Sequence, residues 1–444
     1  MPAELSGAYA RGQIIPPGNT LAHPIVEERN MFGNTFQRKA ACLMLAILAA
    51  PMCARCETLS LQDAIQAALR RNPSIAAGAA STLAAHQAAR GASALANPEL
   101  TVAPSVVGEA GSDSVVLLTQ PLEINGTRTA RARIAGHQAS AATQDANAAR
   151  RDVVLRVKLL YWETAQAQQL VRLNEENIAY LETLDSTVRK QIEVGKIPGA
   201  QAIKTEIELA RARQELAQAR LGLQTTKAEL CSMLNRPPND DVTIGDELVF
   251  ADQTLDRDSL AATALRSRPE VLSSAAQVAG AQAEIGAARA DRLPDLALQF
   301  RKESWDSAGG GIAVAITLPL LDWGLARAKV RHAELVSASR RMLLESARNE
   351  VTLEVDQSIA AARTSAAIVR EYQGGILDRS DQLAALAQKG YEKGATSYIE
   401  VLEAQRTLRG VKVEYLSALA DHTKAVARVG WAAGIDSLGK EASK

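Results

Sequence analysis

Residues 121–133 read PLEINGTRTARAR and residues 319–331 read PLLDWGLARAKVR. Both open on Pro-Leu and share a glycine (Gly126, Gly324), an alanine (Ala130, Ala328) and an arginine (Arg133, Arg331), each pair 198 positions apart. Upstream, Ala68-Leu69-Arg70 with Pro73 returns as Ala264-Leu265-Arg266 with Pro269 at an offset of 196. Downstream, Gly195 with Leu209 returns as Gly394 with Leu408 at an offset of 199. Three landmarks in one order at near-constant spacing point to a single structural unit duplicated within the chain. Function then has to come from what the two copies build together.

The period of the sequence changes on either side of each quoted stretch. Before the second, Ile312, Val314, Ile316 and Leu318 alternate with Ala313, Ala315 and Thr317, and Leu296, Leu298 and Phe300 alternate with Ala297, Gln299 and Arg301. Before the first, Leu100, Val102, Pro104 and Val106 alternate with Thr101, Ala103 and Ser105; Gly108–Asp113 supplies a turn and Ser114–Leu122 a returning strand. Such alternation predicts strands near 99–122 and 295–319, each with one bulky apolar face and one small or polar face. About ten residues of this pattern suit an outer-membrane barrel strand. A hairpin packed on a soluble core would alternate in the same way.

After each quoted stretch the chain turns helical. From Thr127 to Val194 there is no proline and almost no glycine, and the same holds from Leu325 to Lys389 apart from Gly374-Gly375. An unbroken helix of that length runs about 100 Å at 1.5 Å per residue. Glycine-containing turns at 195–199 and 390–397 send the chain back, predicting two long hairpins over about 127–233 and 325–433. Apolar residues spaced by three and four, such as Val153, Val157 and Leu160 or Val351, Val355 and Ile359, give a coiled-coil pattern. A soluble rod would share it, but would have no need of strands. Shorter helices are expected at Leu59–Leu69 and from Ser74 to Ala96, where Asn97-Pro98 stops the second. Four strands cannot close a barrel, and lipid does not tolerate an open sheet edge. Closure therefore needs several copies, most simply a cyclic oligomer whose helices enclose a periplasmic tube.

The remaining features set bounds. The 444 residues divide into an N-terminal extension and leader (1–56), a first repeat (57–254) and a second (255–444). Net charge is zero, so no basic field recruits nucleic acid. Ala40–Ala54 is an apolar run behind Arg38-Lys39, which suits a secretory leader beginning at Met31 and is too short to span a membrane; a buried helix is the alternative. Cleavage after Ala54 or Cys56 leaves Cys231 at most one companion, hence no disulfide framework. Met52 before Cys53 and Arg55 before Cys56 disfavour lipid attachment. The five histidines, at 23, 86, 137, 332 and 422, have no ligand-like spacing, so neither a metal site nor a cofactor is expected. Asp240-Asp241 reads as a solvated loop, and no nucleophile or phosphate-loop motif suggests an enzyme.

Over nearly the whole mature chain these residues resemble the TolC family of outer-membrane efflux proteins. Residues 394–408, GATSYIEVLEAQRTL, are similar to the family's signature after the second hairpin tip. Residues 97–100 (NPEL) and 120–128 (QPLEINGTR) are similar to its CzcC-like branch, which serves heavy-metal exporters, while 318–324 (LPLLDWG) is equally similar to drug-efflux members. The resemblance implies a mainly helical chain with a membrane β-barrel: a homotrimer with four strands per chain, a twelve-stranded barrel in outer-membrane lipid and a periplasmic helical tunnel. It also implies a periplasmic adaptor and an inner-membrane pump of the RND type as partners. The exported species is then a heavy-metal cation, with drugs or secreted polypeptides as the alternative; a periplasmic coiled-coil adaptor or scaffold is the alternative of another class.

It further implies a site. Glu400 and Glu403, three apart on one helical face, occupy positions where the family lines its periplasmic entrance with acids, and Tyr391 matches a tyrosine that helps hold that entrance shut. Thr396 and Gln201 depart from the arginine and aspartate of that lock. The tips, Val194, Gly195 and Lys196 with Gly394, Ala395 and Thr396, are the expected adaptor-docking points, although glycine at a helix turn also has a purely conformational use. Aromatic content is only 3%; Phe300 and Trp305 are candidates for a membrane girdle, and the first strand pair offers none.

Overall fold

The computed structural model describes residues 57–103, 115–302, 309–318 and 321–435; the expected leader, the turn at 108–113 and Trp305 lie outside these residues. The elements are β1 (Glu57–Leu59), α1 (Leu61–Arg71), α2 (Pro73–Ser93), β2 (Glu99–Ala103), β3 (Val115–Pro121), α3 (Thr127–Glu193), α4 (Ala200–Met233), β4 (Val242–Ile244), α5 (Arg257–Ser267), α6 (Pro269–Ala290), β5 (Asp295–Lys302), β6 (Gly311–Thr317), α7 (Leu325–Glu371), a π-helical turn (Tyr372–Ile376), α8 (Leu377–Glu392) and α9 (Tyr398–Ala433). The order short helix, helix, strand, strand, long helix, returning helix thus occurs twice.

Local chemistry sets the boundaries. Asn72 and Arg268 each precede a proline and are extended, which ends α1 and α5 and lets Pro73 and Pro269 open the next helix. Asn72 Oδ1 also accepts the Ser74 N–H at 3.0 Å. At the front of α1, Ser60 Oγ accepts the Asp63 N–H at 3.2 Å. This cap moves the helix two residues beyond its expected start.

α3 is a single helix of 67 residues, whereas its counterpart is interrupted at Tyr372–Ile376, where Gly375 has φ 135°. The interruption accounts for the step in offset from 198 to 199. Val153 and Val157 correspond to Val351 and Val355 at 198, and beyond the π-turn Leu181 corresponds to Ser380 at 199; all six are buried. A π-turn holds one residue more than an α-turn. It absorbs the extra residue locally and leaves the buried faces on either side in phase with those of α3.

Three apolar clusters bind the helices. Around the parallel pair β1–β4, Val157, Leu160, Tyr161, Leu230 and Leu419 pack together. Here the Tyr161 hydroxyl donates to Asp246 at 2.7 Å and lies 2.8 Å from Leu59 O, and burial, aided by that carboxylate, raises its pKa well above the usual phenol range. Leu260, Val271, Val351, Val355 and Val429 join α5 and α6 to α7 and α9. The third cluster lies at the hairpin tips.

β2, β3, β5 and β6 form one antiparallel sheet in that order. Because β3 and β6 run in the same direction, both strand-to-helix junctions leave from one end of the sheet, so the long helices all lie beyond that end.

Candidate functional site

The two hairpin tips are built alike. Gly195 has φ 72° and Gly394 φ 73°. At the first, Lys196 N–H donates to Gln191 O and Gly195 N–H to Ile192 O, both at 2.9 Å. At the second, Ala395 N–H donates to Gly390 O at 2.8 Å and Gly394 N–H to Tyr391 O at 3.0 Å. This pairing defines a Schellman turn, whose left-handed residue is normally glycine because a Cβ is disfavoured there. Val194, Lys196 and Ala395 are exposed, and Thr396 is half-buried. Gly390, expected in the turn, sits in the last turn of α8 instead; a Cβ there would lie 2.0 Å from Thr396 Oγ1.

Helix α9 starts with a capping box. Glu400 accepts the Ser397 N–H at 2.8 Å, and Ser397 Oγ accepts the Glu400 N–H at 3.3 Å. Both Glu400 and Glu403 are exposed in the single chain, but Glu400 has a structural duty that spacing alone did not reveal.

Above the tips, polar contacts cross between the hairpins. The Tyr391 hydroxyl donates to Gln191 Oε1 at 3.0 Å, Tyr180 donates to Gln388 Oε1 at 3.0 Å, and the Tyr398 hydroxyl pairs with Thr205 Oγ1. The Tyr391 and Tyr398 rings lie 6.2 Å apart within a cluster containing Leu181, Leu184, Val188, Val401 and Leu402. Burial raises the pKa of Tyr391, of Tyr398 and of Tyr180, the last to about 12, so these phenols stay protonated as donors near neutral pH. Arg406 forms an ion pair with Glu208, and Arg409 donates to Asn174 at 3.0 Å. Of the residues in these contacts the sequence singled out Tyr391 but not Gln191, Tyr180 or Thr205. The available signal was polar and aromatic residues standing among the apolar positions of a helical stripe. Gln201, at a departed lock position, keeps its Oε1 buried with no partner among the described residues.

The sheet carries the other half of the site. Its register places Leu100, Leu118, Phe300 and Ile312 in one cross-strand row, with Gln120, Leu298 and Val314 in a second and Leu296 beside Ile316. Directly paired residues share a face. That face is therefore almost wholly apolar, yet Leu100 is 64% exposed, Ile312 77% and Val314 60%. The Val102–Val116 row on the apolar face ends on Lys302, and the opposite face holds Thr101, Thr119, Gln299, Arg301, Ala313 and Ala315 beside Val115 and Leu117. Within one chain, β2 and β6 each have one unpaired edge among the described residues. A bulky apolar surface on one side and small or polar groups on the other is the pattern of a membrane strand, inverted relative to a soluble sheet.

The family model described as outer membrane efflux protein matches residues 64–236 and again 260–434. The chain belongs to this family. Membership of this family places the chain in the outer membrane with a long periplasmic extension and gives the exposed apolar sheet face a reason. The alternative of a periplasmic adaptor or scaffold falls. The chain is 25% identical to the cobalt-zinc-cadmium resistance protein CzcC of Cupriavidus metallidurans over 84% of its own length and 89% of that relative. It is 28% identical to the solvent efflux pump outer membrane protein SrpC of Pseudomonas putida, over 56% of its own length and 54% of SrpC. Among solved structures it is similar to CusC, with a TM-score of 0.71 at 18% identity, covering 84% of this chain and 92% of the other. At that identity the likeness concerns the fold: a helical tunnel joined to a barrel.

Proposed function

We propose that the protein is the passive exit duct of a tripartite efflux system, and that its cargo is a heavy-metal cation. Similarity to CzcC over most of both chains carries the cargo assignment. The matched segment of SrpC, a solvent efflux protein, is the specific observation behind the second reading, export of organic compounds.

The architecture follows from the two unpaired sheet edges. Lipid requires every backbone donor and acceptor to be satisfied, so β6 of one copy pairs with β2 of the next. Three copies give twelve strands, and the six hairpins continue as a tunnel. The near-identical tips support descent of both hairpins from one duplicated unit. In this arrangement Glu400 and Glu403 place six carboxylates around the entrance, favouring cations over anions, while the tips at Val194–Lys196 and Gly394–Thr396 receive the periplasmic adaptor. Energy comes from an inner-membrane RND-type pump; the duct itself supplies a path.

Deleting the gene and measuring growth inhibition by zinc, cobalt, cadmium, nickel, copper and silver salts, beside solvents and lipophilic drugs, tests this function. Sensitivity confined to metals is expected. Sensitivity confined to organic compounds would transfer the protein to the second reading with its architecture unchanged.

A further inference from the structure

We propose that the first hairpin tip, and not the second, docks a partner segment bearing carboxylates beside an aliphatic side chain. This assignment rests on the docking of the periplasmic adaptor at the tips and supplies the chemistry of the adaptor end that meets the first of them. The spans 190–204 and 389–403 correspond at the offset of 199 and share a left-handed glycine, with φ 72° in one and 73° in the other. Their charges are opposed. The first span holds Lys190, Lys196 and Lys204 against Glu193, and the second holds Lys389 and Lys393 against Glu392, Glu400 and Glu403. One backbone thus carries a basic surface in the first copy and an acidic one in the second.

The three lysines of the first tip are exposed, and none has a carboxylate within salt-bridge distance among the described residues. Away from the tips, Lys227, Lys329, Lys412 and Lys424 hold Asp241, Asp291, Asp381 and Asp421 at 2.8, 3.2, 3.5 and 2.9 Å. Along the first hairpin Arg189, Arg213 and Arg220 bind Glu206, Glu182 and Glu175 at 2.5, 3.2 and 2.8 Å. Arginine's planar fork suits such permanent pairs, whereas the hydrated ammonium of lysine on a flexible stem suits a partner that comes and goes. Paired arginine gives way to unpaired lysine at Arg189–Lys190, where the hairpin reaches its end.

Apolar exposure is asymmetric in the same sense. Val194 is 67% exposed and Ile203 60%, whereas their counterparts in the second copy are Lys393 and Leu402, the latter 7% exposed and packed in the tip cluster. Lysines flanking an exposed valine and isoleucine provide the polar rim and apolar centre of a small interface. An acidic segment with an aliphatic anchor complements both. At the second tip the same carboxylates would meet Glu392, Glu400 and Glu403, and like charge repels them.

The test restores the full-length protein to the deletion strain and reads growth on the compound to which that strain is sensitised. Lys190→Glu with Lys196→Glu and Lys204→Glu is expected to bring the tolerated concentration to within about twofold of the deletion strain while trimers persist. Lys190→Arg with Lys196→Arg and Lys204→Arg keeps the charge and should keep export. Lys389→Glu with Lys393→Glu should leave tolerance within about twofold of wild type. Export retained by the first-tip reversal while Gly195→Val abolishes it overturns the carboxylate partner and leaves tip docking standing; export retained by both overturns tip docking itself. Equal loss from the second-tip reversal overturns the asymmetry. Loss of trimers in the first-tip reversal overturns the proposal too, because a neighbouring copy would then be the occupant.

Discussion

Tyr391 and Gln191, on different hairpins, are joined by a hydrogen bond of 3.0 Å immediately above two Schellman turns of matching geometry. It ties the end of the second hairpin to the end of the first, and in the proposed duct a widening of the entrance would separate them. A hydrogen bond of this kind contributes about 1 kcal/mol, or roughly a fivefold bias toward the joined state. Tyr391→Phe and Gln191→Ala should each raise the open probability of single channels in planar bilayers by about that factor. The double variant should add little to either single one. Additive effects would show that the two residues act separately.

Glu400 and Glu403 predict selectivity. Glu400→Gln with Glu403→Gln should reduce cation preference in the same bilayers while leaving α9 capped, because glutamine also serves in a capping box. Unchanged conductance and ion preference would remove the acidic constriction from the proposed mechanism.

The tip glycines separate conformation from docking. Replacing Gly195 or Gly394 with valine should abolish export while trimers persist, because a β-branched residue resists left-handed backbone. Asparagine tolerates that conformation, so Gly394→Asn should retain export if φ is what matters. Loss of export with asparagine as well would mean that the adaptor needs the bare backbone.

At the π-turn, Gly375→Ala should lower the Tm of the assembly, since a φ of 135° strains any residue with a Cβ. Deleting Gly374 should not. Removal of one residue lets Tyr372–Ile376 close as ordinary α-helix with both flanks in their present phase, as in unbroken α3. A deletion variant that failed to assemble would show that the turn does more than absorb an insertion.

Arg268 is 2% exposed, held by Glu270 and Glu354 at 2.8 Å and lying 4.3 Å from the centre of the Trp431 ring. Burial pushes the Glu270 pKa up, but the hydrogen bond and charge of Arg268 outweigh it, and the net shift is downward. A lowered folded pKa contributes stability that is present above the unfolded value of 4.5 and lost as pH falls through the folded one. Arg268→Ala should cost about 1–3 kcal/mol near neutral pH, because both carboxylates lose their partner while keeping about a third of their surface in water. That deficit should shrink on acidification, as measured by denaturant unfolding at several pH values; a constant deficit would remove the ion pair as its cause.

Much of the fold was legible because it rests on period. Alternation at Ile312–Leu318 and the three–four spacing around Val153 and Val351 each reflect a backbone repeat that forces side chains to one face. Glycines 195 and 394 marked the tips because left-handed backbone selects glycine, and the offsets 196, 198 and 199 held the correspondence of the two halves. Even the step from 198 to 199 stood in the sequence, although its location at a π-turn did not: an added residue leaves no local mark when flanking helix is present on both sides.

The sequence by itself therefore determined the strands, the giant hairpins and the turns, because each depends on neighbours within a few residues. Tertiary structure alone decided that Tyr391 meets Gln191, that Arg268 lies beneath Trp431 and that the apolar sheet face is left uncovered. Those outcomes join residues far apart in the chain, and side-chain hydrogen bonds, ion pairs and exposed faces are fixed by packing between elements, which no local period records.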